Sequence, residues 1–170
     1  MAATPDDLFT FLDQLGISHR TVQHPPVFTV EEARTLRGQI VGGHTKNLFL
    51  KDKRGALYLV TALEDADIEL KSLHRRLGAS GRFSFGSAEL MLEVLGIAPG
   101  AVTPFGAIND TGHQVTVVLD AAMMGLETLN FHPLRNTMTT TIGRDDLVRF
   151  LAATGHTPRI EPVTGPFSGS

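Results

Sequence analysis

Four polar residues, Asp52-Lys53-Arg54-Gly55, separate two apolar runs, Leu48-Phe49-Leu50 and Ala56 to Ala62. Apolar segments of strand length on either side of a short glycine-containing turn fold back on each other as a β-hairpin. Two further strand pairs read the same way. Gly106 to Ile108 and Gln114 to Leu119 bracket Asn109-Asp110-Thr111-Gly112, and Leu126 to Phe131 and Thr137 to Ile142 bracket His132-Pro133-Leu134-Arg135-Asn136. Ile17 to Gln23 reads as a short strand that His24-Pro25-Pro26 breaks, because each proline removes a donor and restricts the residue before it.

Helices fall between these strands. Thr4 can cap the first, Pro5 occupies its first position, and Asp6 and Asp7 suit its positive end. Leu8, Phe11, Leu12 and Leu15 form one apolar stripe that Gly16 ends. A short helix is expected from Val30 to Leu36, followed by a glycine-rich bend at Gly38 and Gly42-Gly43. Ile68 to Leu77 and Ser87 to Leu95 are the next two, each stopped by a Leu-Gly pair, with Ser87 as an N-cap. The last runs from Arg144 to Thr154 and stops at Gly155, and residues 156–170 read as an extended, partly mobile tail. Tight hairpins without βαβ alternation predict an α+β fold with a mixed, mainly antiparallel sheet. At 170 residues the chain is of single-domain length.

Charge and composition exclude several functions. A net charge of -3 means that any RNA contact must come from a local basic face, for which Lys51 to Arg54 and Lys71 to Arg76 are the candidates; the alternative for both is a solvated surface. The absence of cysteine removes disulfides, thiol nucleophiles and thiolate metal sites, and fits a cytoplasmic protein. No signal peptide is expected at the start, and no apolar run approaches the roughly 20 residues of a membrane span. The seven histidines lack the spacing of a zinc site, no G-x-S-x-G elbow is present, and no Walker or Rossmann glycine pattern occurs. Neither a metal nor a cofactor is expected.

Three features carry chemistry. Gly43-His44-Thr45-Lys46-Asn47 runs directly into Leu48-Phe49-Leu50, so Lys46 stands at the mouth of a buried strand. Its ammonium must reach water, an anion or a carbonyl; a snorkelling lysine at the sheet edge is the structural alternative. Gly100-Ala101-Val102-Thr103-Pro104-Phe105-Gly106 is either a rigid loop whose amides approach a ligand or a plain helix-to-strand connection. His132, between a strand and Pro133, is either a site residue or a turn histidine.

In order along the chain, several stretches resemble the YbaK/prolyl-tRNA-synthetase-associated domain family, in particular its free-standing deacylases of alanyl-tRNA(Pro). They are His24 to Ala33, Gly43 to Asp52, Ser84 to Ser87, Leu95-Gly96 to Gly106, and His132 to Thr137. The resemblance implies a compact domain with a strongly curved, barrel-like sheet. It also implies hydrolysis of the ester joining a wrong amino acid to tRNA(Pro). Lys46 matches the lysine that family requires for deacylation, Gly100 and Pro104 its pocket-lining G-x-x-x-P loop, and His132 its pocket histidine, with Asn47 as a further substrate contact. Val27, Phe28 and Val30 are expected walls of a small amino-acid pocket, or ordinary core residues. The implied partners are the acceptor end of mischarged tRNA and prolyl-tRNA synthetase, with no DNA and no membrane. Cysteinyl-tRNA(Pro) as substrate, a non-catalytic module that binds aminoacyl-tRNA or a synthetase, and a sensor of free amino acids are the rival readings.

Overall fold

A computed structural model describes residues 2–26, 35, 38 and 40–165. Eight strands form one open, mixed sheet in the order β1-β7-β6-β2-β3-β5-β8, with β4 paired to β2. They are β1 (His19–Gln23), β2 (Gly43–Lys51), β3 (Leu57–Leu63), β4 (Ser84–Phe85), β5 (Val115–Asp120), β6 (Thr128–Phe131), β7 (Met138–Gly143) and β8 (Arg159–Glu161). Four pairings are antiparallel (β1 with β7, β2 with β3, β2 with β4, β6 with β7) and three are parallel (β2 with β6, β3 with β5, β5 with β8). The α+β class and mixed sheet expected from the sequence are found, although the sheet does not close into a barrel.

The β2–β3 hairpin has its turn fixed by Asp52, whose Oδ1 accepts from the amides of Arg54 and Ala56 at 2.9 Å each. Its Oδ2 accepts from the amide of Ser80 at 3.0 Å, which ties the turn to the chain beyond the next helix. Gly55 takes the left-handed conformation the turn requires (φ 87°).

Four α-helices are described: α1 (Pro5–Gln14), α2 (Leu70–Leu77), α3 (Ala88–Leu95) and α4 (Arg144–Ala153). Thr4 and Asp7 make a reciprocal capping box on α1, and the Ser87 hydroxyl accepts from the Leu90 amide at 3.0 Å on α3. The glycine stops operate as read, with left-handed φ of 70° at Gly16, 68° at Gly78 and 65° at Gly96. The expected helix from Val30 to Leu36 lies almost wholly outside the described residues.

Side chains alternate across the sheet and divide the interior in two. On one face Phe49, Leu57, Leu59, Val117, Leu119, Leu129 and Phe131 pack against α1, α3 and α4. Phe105 is the hub there, edge-on to Phe131 (centroids 5.8 Å, 83°) and to Phe150 (5.3 Å, 83°). On the other face Leu50, Tyr58, Val60, Ala62 and Val118 pack against Leu73 and Leu77 of α2 and against Val163.

Two sequence expectations need correction. Gly106 to Ile108 is no strand but part of a 3-10 segment, Pro104–Asn109. Thr103 caps it by accepting from the Phe105 amide, Pro104 pre-sets its first turn, and Asn109 ties its end to the Leu95 carbonyl at 2.8 Å. Two hydrogen bonds and a proline-fixed first turn outweigh a short apolar run. The region read as a loose tail also supplies β8, which lies parallel to β5 (Leu119 opposite Ile160). Val163 is wholly buried, and its amide donates to Asp120 at 3.0 Å.

Candidate active site

β2 is the strand that presents the expected site. Along one edge it pairs with β3 from Thr45 to Lys51. Along the other it pairs with β6 only at Gly43 and His44, and with β4 only at Leu50 and Lys51. Among the described residues, positions 46 to 48 of that edge therefore have no ladder partner. A sheet that splits along one strand leaves backbone donors and acceptors available to a ligand.

Asn130 sets where the split begins. It is buried (3% exposed) within the apolar strand Leu129-Asn130-Phe131. Its amide donates to the carbonyls of Val41 at 3.1 Å and Gly43 at 3.4 Å, and its Oδ1 accepts from the Thr141 hydroxyl at 2.5 Å. The Thr45 hydroxyl donates to its main-chain carbonyl at 2.7 Å. Gly42 crosses this clamp with φ 106°, where a Cβ would come within 3.0 Å of the Asn130 amide nitrogen. Sequence reasoning missed Asn130. The available signal was a lone amide in an apolar strand, since buried polar groups need partners.

Beyond the clamp, where His44 is paired with Asn130, Lys46 lies two residues further along β2 and His132 two residues past Asn130, just beyond the end of β6. The Lys46 ammonium donates to the Ala66 carbonyl. The lysine at the strand mouth thus reaches a carbonyl, one of the partners its position demands. Asn47 points to the opposite face, where its Oδ1 accepts from the buried Thr61 hydroxyl at 2.7 Å. This bond orients the Asn47 amide.

His132 is half-buried, and its Nδ1 donates to the Met138 carbonyl at 2.9 Å. A carbonyl only accepts, so this contact leaves Nε2 as the acceptor of a neutral ring. Burial pushes the His132 pKa below the usual histidine value; the Met138 contact opposes the shift and His24 adds to it. The His24 ring lies 6.3 Å away, with its Nδ1 donating to the Pro25 carbonyl at 2.8 Å and its Nε2 accepting from the Thr139 hydroxyl at 2.7 Å. Because the native ring holds its proton less tightly than the unfolded one, the unfolded chain binds more protons below about pH 6.5. The stability from His132 is therefore complete above that pH and is lost as pH falls toward the lowered native pKa. His132→Gln should flatten the acid limb of a stability profile below about pH 6.5. An identical limb in the variant would assign it to other groups.

The Gly100 to Pro104 loop lies on the other core face. Gly100 is exposed, whereas Ala101, Thr103 and Pro104 are buried, so Pro104 shapes the loop from within. A Cβ on Gly100 would stand 3.0 Å from the Asn136 side-chain nitrogen. Ala98, Gly100 and Ala101 enclose a cavity of about 230 Å³ with Leu134, Arg135, Asn136 and Thr137. The loop therefore meets the His132 turn from below, and no hydrogen bond among the described residues joins it to Lys46. Val27, Phe28 and Val30 lie outside the described residues. Of the basic stretches, Arg76 is committed elsewhere: its guanidinium donates to the carbonyls of Pro162 (2.7 Å) and Gly165 and secures the C-terminal segment. Among the described residues no cluster of three His, Asp or Glu could hold a metal ion. No helix of theirs is long and apolar enough to cross a membrane.

Comparison with known proteins places these features in a family. The model of the aminoacyl-tRNA editing domain matches residues 24–150, from His24 into the last helix. The mouse prolyl-tRNA synthetase associated domain-containing protein 1 is 42% identical over 153 residues, covering 88% of this chain and 90% of that protein. The prolyl-tRNA editing protein ProX of Acetoanaerobium sticklandii is 37% identical over 147 residues, covering 86% and 89%. The crystal structure of a candidate trans-editing enzyme for prolyl tRNA synthetase superimposes with a TM-score of 0.72 at 19% identity, over 98% of this chain and all of the other, a likeness of fold. This chain belongs to the aminoacyl-tRNA editing domain family.

Proposed function

We propose that this protein is a trans-acting hydrolase that removes a wrongly attached amino acid, alanine above all, from tRNA(Pro). One observation carries the reading: Lys46 and His132 each follow the paired His44 and Asn130 by two residues, where β2 parts from β6. The relatives named for prolyl-tRNA editing and for association with prolyl-tRNA synthetase supply the substrate class and the partner. The site of action is the cytoplasm.

Alanine is smaller than proline, so a synthetase pocket shaped for proline cannot shut it out. A missing methylene is worth only about 1–3 kcal/mol of discrimination. A second site admits the small residue and rejects the ring. In this reading Val27, Phe28 and Val30 wall that pocket, and the bare Nε2 of His132 accepts a hydrogen bond from the substrate's α-ammonium. Lys46 holds the terminal phosphate or the oxyanion that develops on the ester carbonyl, and the Gly100 amide donates from the loop. Water attacks the carbonyl carbon, the acyl–oxygen bond to the ribose breaks, and the departing ribose oxygen takes a proton. A neighbouring ribose hydroxyl of the substrate assists the water, and no side chain is assigned as general base.

Incubation with a panel of aminoacylated tRNA(Pro) species tests the reading. Alanine should be released and proline left in place. Equal release of both would overturn the size sieve, preferential release of cysteine would reassign the substrate, and no release from any species would leave a binding module.

A further inference from the structure

Above the small Gly100 cavity opens a second cleft of about 880 Å³. It is lined by α1 (Pro5, Asp6, Phe9), by the end of β1, and by Arg135, Thr137 and Met138. Arg135 and Thr137 line both cavities. His24 stands in the wall of the larger cleft, the Arg135 groove, and also faces the His132 ring at 6.3 Å. His24 thus connects the groove to the candidate active site, although Lys46 and His132 line neither cavity.

Four of the described guanidiniums are held by the protein itself. Arg76, Arg144, Arg149 and Arg159 donate to main-chain carbonyls, Arg149 and Arg159 to carboxylates as well. Arg135 is exposed and makes no such bond, and of the described arginines it is the one that lines these two cavities. Its placement is built at a cost. The preceding residue, Leu134, adopts φ 72°, a left-handed conformation that a leucine rarely takes. Burial of Leu134 (6% exposed) in the main core and a hydrogen bond from its amide to the His132 carbonyl at 2.9 Å hold it there. The His24 amide, donating to the Thr137 carbonyl at 2.9 Å, closes the far side of the turn. The strained turn thus fixes His132 before it and turns Arg135 into the groove after it.

We infer that the Arg135 groove binds the phosphodiester backbone of the single-stranded 3′ end of the substrate RNA, guiding the terminal ester toward His132. This rests on the proposed editing function and locates its RNA contact. Asp6 on the opposite wall confines the anion to the Arg135 side. The basic stretches Lys51 to Arg54 and Lys71 to Arg76 line neither cavity.

The test compares wild type, Arg135→Ala and Arg135→Lys in two assays. One measures kcat and KM on alanyl-tRNA(Pro). The other measures binding of an uncharged RNA hairpin with a single-stranded 3′ end by fluorescence anisotropy at several salt concentrations. Loss of a charge-assisted contact to phosphate should raise KM and Kd about tenfold and leave kcat within about twofold. The salt slope should fall by about 0.7, the value for one phosphate contact on a single strand. Arg135→Lys should recover part of the affinity because it keeps the charge. An unchanged Kd and salt slope in a folded Arg135→Ala variant would overturn the inference. The hairpin assay stands even where no tRNA is deacylated, so failure of the editing reading and failure of the groove are separate results.

Discussion

Lys46→Ala should lower alanyl-tRNA(Pro) deacylation by about a hundredfold or more while leaving the thermal midpoint nearly unchanged. Removing a group that stabilises developing negative charge in a sheltered site costs on the order of 10²–10³ in rate. The stability cost is small because the ammonium bonds to one partner, the Ala66 carbonyl, and neighbouring Leu48 and Leu50 keep their packing against β3. Single-turnover deacylation with a parallel melting curve checks both halves. A variant that retains turnover would end the anchoring role, and one that melts early would make Lys46 a structural lysine of the sheet edge.

The second large effect is on stability and lies far from the site. Asp110 and His156 are both buried, and the His156 Nε2 donates to Asp110 Oδ2 at 2.8 Å. The same carboxylate accepts from the amides of Gln114 (3.0 Å), just before β5, and Val115 (2.9 Å), its first residue. On the other side of the ring, His156 Nδ1 meets the Thr154 hydroxyl at 2.9 Å, at the end of α4. One carboxylate therefore clamps a helix end, a strand start and the chain leading to β8. Asp110→Ala would leave the imidazole Nε2 and the Val115 amide buried without partners and strip the Gln114 amide of its acceptor. The expected loss is about 3–5 kcal/mol, or a drop of about 10 °C in Tm for a domain of this size. Urea and thermal unfolding measure it. A midpoint within about 2 °C of wild type would mean that water replaces the clasp at no cost.

Much of the fold was legible because its punctuation is local. A capping threonine, a capping serine and glycines that tolerate left-handed φ act within a few residues, so Thr4, Ser87, Gly16, Gly78 and Gly96 could be placed from their neighbours. The strand reading of Gly106 to Ile108 failed where apolar character was weighed without the flanking Thr103, Pro104 and Asn109. The Asp110–His156 clasp joins residues 46 apart, and no spacing rule predicts it. A histidine straight after a helix-ending glycine was its only trace. Arg76, read as one of a set of solvated or phosphate-binding cations, instead fastens the chain around Pro162, which sequence proximity could not suggest.

By itself the sequence determined that a lysine would stand where a polar segment runs into a buried strand, and that its charge would need a partner there. It also placed His132 at a strand end before a proline. The tertiary structure decided that the two stand beyond one strand junction, because that depends on the register of His44 against Asn130, 86 positions later in the chain. It likewise decided that β2 and β6 separate just beyond. Strand registers between such distant segments are chosen by which arrangement buries both core faces together, a property of the whole chain that no local run of residues contains.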